Sequence, residues 1–199
     1  MNKIIAFLFI FATSSLIAQK NNKKDNFVVQ IKKVKGDLNK DKLDDLVVVT
    51  QDTINEEAPY KLEVFFAQPN GAYKLIVSTT KAIDPQYPQG KNGYYNGFFY
   101  GVSIEKGILI IHKELTRGSF EHKFRYQNNN LELIGFSEGY SDGQGTMGTV
   151  DFNLSTGIQV STSERYDDSN EKPTQTQKKV LIRPLPKLQD FAPFTTEFY

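Results

Sequence analysis

From Phe27 onward the side chains alternate with a period of two, in short β-branched or aromatic runs broken by Gly, Asn and Pro. No segment sustains a 3.6-residue apolar stripe over three turns, so the chain has no helical face to bury but many alternating strand faces. The pattern predicts strands over 27–34, 45–50, 61–67, 73–78, 98–104, 108–112, 120–126, 131–138, 149–153 and 158–163. Glu105-Lys106-Gly107, Gln127-Asn128-Asn129-Asn130 and Leu154-Ser155-Thr156-Gly157 are hairpin-like connections between neighbouring runs. The expected fold is therefore all-β, a single-domain antiparallel meander folded into a sandwich, a barrel or a curved sheet. A full propeller is excluded by arithmetic, because each four-stranded blade takes about 40 residues and at least four blades are usual.

Residues 1–18 read as a secretory signal peptide. Lys3 supplies the basic start, Ile4 to Phe11 the apolar core, and small residues lead to Ala18. The alternative, a membrane anchor, needs about 20 apolar residues, more than this run supplies. With 0 cysteines there is no lipobox thiol, disulfide or thiolate metal site, so export as a soluble periplasmic or extracellular protein is expected, with no membrane span after cleavage. Loss of the leader removes Lys3 from 24 basic residues and leaves 23, matched by 23 acidic ones. A neutral chain has no electrostatic footprint for nucleic acid. Residues 19–26 form a polar N-terminal tether, 27–166 the β-domain and 167–179 a polar loop or linker. The apolar segment 180–199 is expected to dock on the domain.

The stretch Gly36-Asp37-Leu38-Asn39-Lys40-Asp41-Lys42-Leu43-Asp44-Asp45 sets oxygen-bearing side chains at alternate positions before the apolar run Leu46 to Val49. Asp37, Asn39 and Asp41, the backbone carbonyl of Leu43, and Asp45 together suit a hard cation that takes six to eight oxygens, which points to Ca2+. The alternative is a solvated turn neutralised by Lys35, Lys40 and Lys42. The spacing D-x-N-x-D-x-x-x-D resembles the calcium loop of FG-GAP and VCBS-type repeats, and more loosely an EF-hand. It departs from them at Lys42, where glycine is usual, and at Val48, where an EF-hand has Glu. The resemblance implies a calcium loop feeding a strand and covers roughly residues 27–66. Gly36 to Asp41, Gly107 to His112, Phe124-Arg125-Tyr126, Leu133-Ile134-Gly135 and Val150 to Gly157, in that order, are similar to a group of small exported bacterial proteins of uncharacterised function. That similarity implies a compartment and a single β-domain, and no activity.

His112 and His122 are the two histidines. His122 alternates with Phe120, Phe124 and Tyr126, which favours a core position over catalysis. His112 continues the face of Ile108 and Ile110 beside Glu114. Gly139 to Gly148 lacks the lysine of a phosphate cradle and reads as a mobile connection, with Tyr140 able to border a binding site. Tyr94 and Tyr95, in the aromatic and glycine-rich segment 87–100, are candidates for contacts with a protein or a glycan. The expected function is an exported calcium-stabilised β-domain acting as a binding or structural module. The alternatives are a small envelope hydrolase using His112 or His122, and an inhibitor or immunity-type partner of a secreted enzyme.

Overall fold

The computed structural model describes residues 26–93, 98–167 and 172–195, without the side chains of Phe98 and Tyr100. Alternation dictates its two sheets. In the first, strands β1 (Val29–Gly36), β2 (Asp45–Gln51), β3 (Tyr60–Ala67) and β4 (Tyr73–Thr79) lie side by side in chain order, all antiparallel. Tyr60, Leu62, Val64 and Phe66 of β3 point inward beside Val47 and Val49 of β2, while Lys61, Glu63, Leu46 and Val48 take the outer face. The continuous apolar run of β2 suits its place between two neighbours, although only alternate residues are fully buried.

The second sheet is also a meander in chain order. It comprises β5 (Phe98–Glu105), β6 (Ile108–Leu115), β7 (Gly118–Gln127), β8 (Asn130–Ser141), β9 (Thr146–Asn153), β10 (Ile158–Arg165) and β11 (Thr174–Lys179). Two of its turns show why the sequence doubles back where it does. Lys106 and Gly107 (φ 52° and 76°) and Asn128 and Asn129 (φ 52° and 58°) adopt the left-handed conformation that two-residue hairpins require. The fold is thus all-β, with two antiparallel sheets, neither closed into a barrel or propeller, and no helix among the described residues.

The inner faces of both sheets share one core. Val47, Val49, Leu62 and Val64 from the first meet Leu109, Ile111, Phe124, Leu133 and Phe152 from the second. Rings lock the two layers together: Tyr60 against Phe99 at 5.2 Å and Phe66 edge-on to Tyr126 at 4.8 Å. At one margin β1 crosses β5 so closely that a Cβ on Gly36 would stand 2.8 Å from Ile104.

Strand β11 corrects the expected loop over 167–179. Its six residues pair with β10 from Ser163↔Thr174 to Ile158↔Lys179, yet all six are exposed. An edge strand needs one backbone partner and no buried face, so hydrophobic alternation does not announce it. In the segment after β11, Leu185, Leu188 and Phe191 are buried. Leu133 N donates to Pro186 O, and Leu188 N to Leu131 O, both at 2.8 Å. This segment occupies the side of β8 opposite the β7 ladder, along the part that β9, paired with β8 only from Gly135 to Ser141, does not cover.

Candidate functional site

The turn between β1 and β2 is organised by its own acidic and amide side chains. Asp37 Oδ1 accepts the amides of Lys40 (2.6 Å) and Asp41 (3.2 Å), and its Oδ2 accepts that of Lys42 (2.9 Å). Asn39 Oδ1 accepts the Asp41 amide at 3.0 Å, and Asp41 Oδ1 accepts the Leu43 amide at 2.8 Å. Asn39 Nδ2 also donates to Asp41 Oδ2 at 3.0 Å. Asp37, Asn39 and Asp41 therefore stand together around one curl of backbone. Lys42 sits at φ 69° and Lys40 at 66°, so the position where such loops carry glycine does take the left-handed conformation here, with a Cβ attached.

Asp45 is placed differently from the expected shell-closing ligand. It is completely buried, its Oδ2 accepts the Leu38 amide at 2.8 Å, and its Oδ1 accepts the Ala67 amide at 3.0 Å. It ties the turn to the end of β3. Burial pushes its carboxyl above the usual range, and the two amides oppose that rise. Among the described residues, no three His, Cys, Asp or Glu side chains gather as metal ligands.

Each Asp or Asn oxygen carries two lone pairs, and the amides leave some of them over. One remains on Asp37 Oδ2, one on Asn39 Oδ1 and one on each oxygen of Asp41. Oxygens of this kind are the donors that hard cations take.

The histidines occupy contrasting places. His122 is 1% exposed and enclosed by Phe120, Phe136 and Phe191, with ring centroids at 5.3, 5.2 and 4.8 Å. Burial, aided by the charge of Lys113, pushes its pKa down to about 3. The recess it lines with Lys113 and Asp84 has about 20 Å3 of room, which accommodates about one water molecule. His112 lies on the other face of the sheet, with Nε2 2.8 Å from Glu114 Oε1 and Nδ1 3.3 Å from Glu121 Oε1. Burial would raise Glu121, but hydrogen bonds from His112 and Lys123 outweigh it and hold the carboxyl below its usual range.

Tyr140 lines a groove of about 480 Å3 at the end of β7–β10, together with Arg117, Ser119, Gly139, Met147, Thr149, Thr162 and Glu164. The glycine-rich turn beside it is firmly tied. Asp142 Oδ1 accepts the amides of Gln144 (2.7 Å) and Thr146 (2.9 Å), Gly145 N donates to the Tyr166 hydroxyl (3.1 Å), and Arg117 Nη1 donates to Asp142 O (2.9 Å). The two amides hold the Asp142 carboxyl below its usual range. Tyr94 and Tyr95 lie outside the described residues.

The acidic turn between β1 and β2 and Tyr140 thus belong to different sheets and form two separate candidate sites. Sequence reading missed the other groove residues. The available signal was the run of small residues at alternate positions, Ser137, Gly139 and Ser141, facing Thr149 across a turn that fixes register. Comparison with family models, with curated proteins and with solved structures finds no match. Fold and geometry define an all-β protein of two open antiparallel sheets with an acidic turn at one site and a largely apolar groove with a few hydroxyls at the other.

Proposed function

We propose that this chain is an exported, calcium-stabilised β-domain acting as a binding or structural module in the cell envelope or outside the cell. The observation that carries the reading is the curl of Asp37, Asn39 and Asp41 around four backbone amides, with lone pairs left over and Lys42 held at φ 69°. Asp37, Asn39, Asp41 and the carbonyl of Leu43 hold the ion, and Asp45 anchors the loop behind them. The likeness of the spacing to FG-GAP and VCBS-type loops supports the same ion. So does the apolar leader over residues 4–11, which directs the chain to a calcium-rich compartment.

The ion's role is structural. It fixes the entry to β2, an interior strand that contributes Val47 and Val49 to the core. At a calcium concentration of about ten times Kd, occupancy adds about 1.4 kcal/mol. For a domain of this size that corresponds to a rise of about 3 to 6 °C in Tm. The test is thermal unfolding in EDTA and across about 0.1 to 10 mM calcium, with magnesium as the control. A calcium-specific rise that disappears in Asp41→Ala supports the reading. Identical melting in EDTA and calcium overturns it.

A further inference from the structure

Gly139 sits inside β8 with an ordinary strand backbone, and a Cβ built on it would meet nothing within 4 Å. Its neighbours differ. A Cβ on Gly118 would overlap the carbonyl of Gly139, and one on Gly148 would stand 2.6 Å from the Tyr140 ring, so packing demands glycine at both. Neither packing nor backbone conformation demands it at Gly139, although a strand glycine is destabilising by roughly 0.5 to 1 kcal/mol. What the missing side chain leaves is the open floor of the groove. A strand glycine without a bulge or bend to explain it leaves room for close approach by a ligand or another chain.

The register defines what a ligand would meet. Ser119, Gly139, Thr149 and Thr162 stand directly opposite one another across β7, β8, β9 and β10, a row about 14 Å long at the usual strand spacing. A parallel row holds Ser141, Met147 and Glu164, with Arg117 beyond Ser141. Arg117 is pinned against Gly143 at one end, donating one of its five N–H groups to Asp142 O. At the other end the Glu164 carboxylate has no hydrogen bond or ion pair among the described residues. Among the described residues of the lining, one cation and one anion balance.

These features select the ligand's chemistry. At Ser119, Gly139, Thr149 and Thr162 the floor strands pair with a neighbour on both sides, so their backbone cannot pair with an extended peptide. The floor is mostly apolar, and the polar groups it offers are the hydroxyls of Ser119, Ser141, Thr149 and Thr162 with the two charged ends. A largely apolar floor, a few hydroxyls and a lining that is charge-neutral among the described residues complement a chain of hydroxyls and C–H faces. We propose that this groove binds a neutral oligosaccharide, with Glu164 and Arg117 gripping sugar hydroxyls at its two ends and Gly139 leaving room for a ring.

The proposal rests on reading the domain as a binding module and is independent of calcium. The test is titration of the purified protein with maltotriose, cellotriose and chitotriose to about 10 mM, followed by calorimetry and by the amide resonances of Gly139 and Thr149, in calcium and in EDTA. At least one trisaccharide binds and moves those resonances. Gly139→Leu, which fills open space, and Glu164→Gln, which changes no volume, each weaken binding at least about tenfold without lowering the unfolding temperature. Absence of binding by all three sugars, or binding that survives Gly139→Leu, overturns the proposal, as does a lysine-containing peptide occupying the groove in their place. Sugar binding without any calcium effect on stability removes the calcium reading alone. Calcium-dependent stability without sugar binding removes this one alone.

Discussion

His122 makes the acid stability of this protein a measurable consequence of its core. The imidazole is 1% exposed among phenyl rings, and its pKa falls from 6.5 to about 3 in the folded state. Between those values the unfolded chain binds a proton that the native state refuses, so lowering the pH favours unfolding. The linkage amounts to about 2 kcal/mol between pH 7 and pH 5, and grows to about 4 to 5 kcal/mol near pH 3, where the native histidine itself begins to protonate. His122→Leu removes the titrating group from the same apolar nest. Urea unfolding of both proteins at pH 7, 6, 5 and 4 separates the effect from the carboxylates, whose contributions are common to the two. The native protein should lose about 2 kcal/mol more than the variant on going from pH 7 to pH 5. Parallel stability curves for the two proteins would refute the argument, because they would mean that the buried imidazole takes up its proton as readily as the unfolded chain does.

Two further substitutions probe the β1–β2 turn. Asp45→Ala strands the amides of Leu38 and Ala67, and urea unfolding should show a loss of about 2 to 5 kcal/mol in EDTA as well as in calcium, because the clamp acts from inside the core. A loss confined to calcium-containing buffer would instead make Asp45 a ligand. Lys42→Gly relieves a left-handed residue at φ 69° and should raise the urea midpoint by the equivalent of about 0.5 to 1 kcal/mol without added metal. A lowered midpoint would mean that the lysine side chain contributes more than its backbone strain.

The elements readable in the sequence were those whose burial leaves a periodic trace. β3 alternates Tyr60, Leu62, Val64 and Phe66 inward against Lys61 and Glu63 outward, and period-two reading finds it directly. The Asn128-Asn129 hairpin is legible for a different reason, since few residues accept two consecutive positive φ values. β11 left no trace because Thr174 to Lys179 bury nothing, and strand formation there depends on the backbone of β10. At the acidic turn, spacing revealed that Asp37, Asn39 and Asp41 belong together. It gave no sign that Asp45 turns inward to the Ala67 amide, a contact spanning a complete hairpin. The groove was hidden for the same reason. Ser119, Thr149 and Thr162 become neighbours only through the register of three successive strand pairings.

The docking of Leu185, Leu188 and Phe191 sets an order of events for a chain made from its amino end. β8 emerges from the ribosome long before the segment whose carbonyl at Pro186 and amide at Leu188 satisfy Leu133 and Leu131. Until then Phe124 and His122 lack the ring of Phe191 that covers them. The nascent chain therefore carries its second sheet with a greasy notch beside β8 while residues 142–190 are being added. A polypeptide that closes over β8 only when this later strap arrives stays loosely held there until then, the state in which a chain can still be threaded through a narrow pore or held by a chaperone.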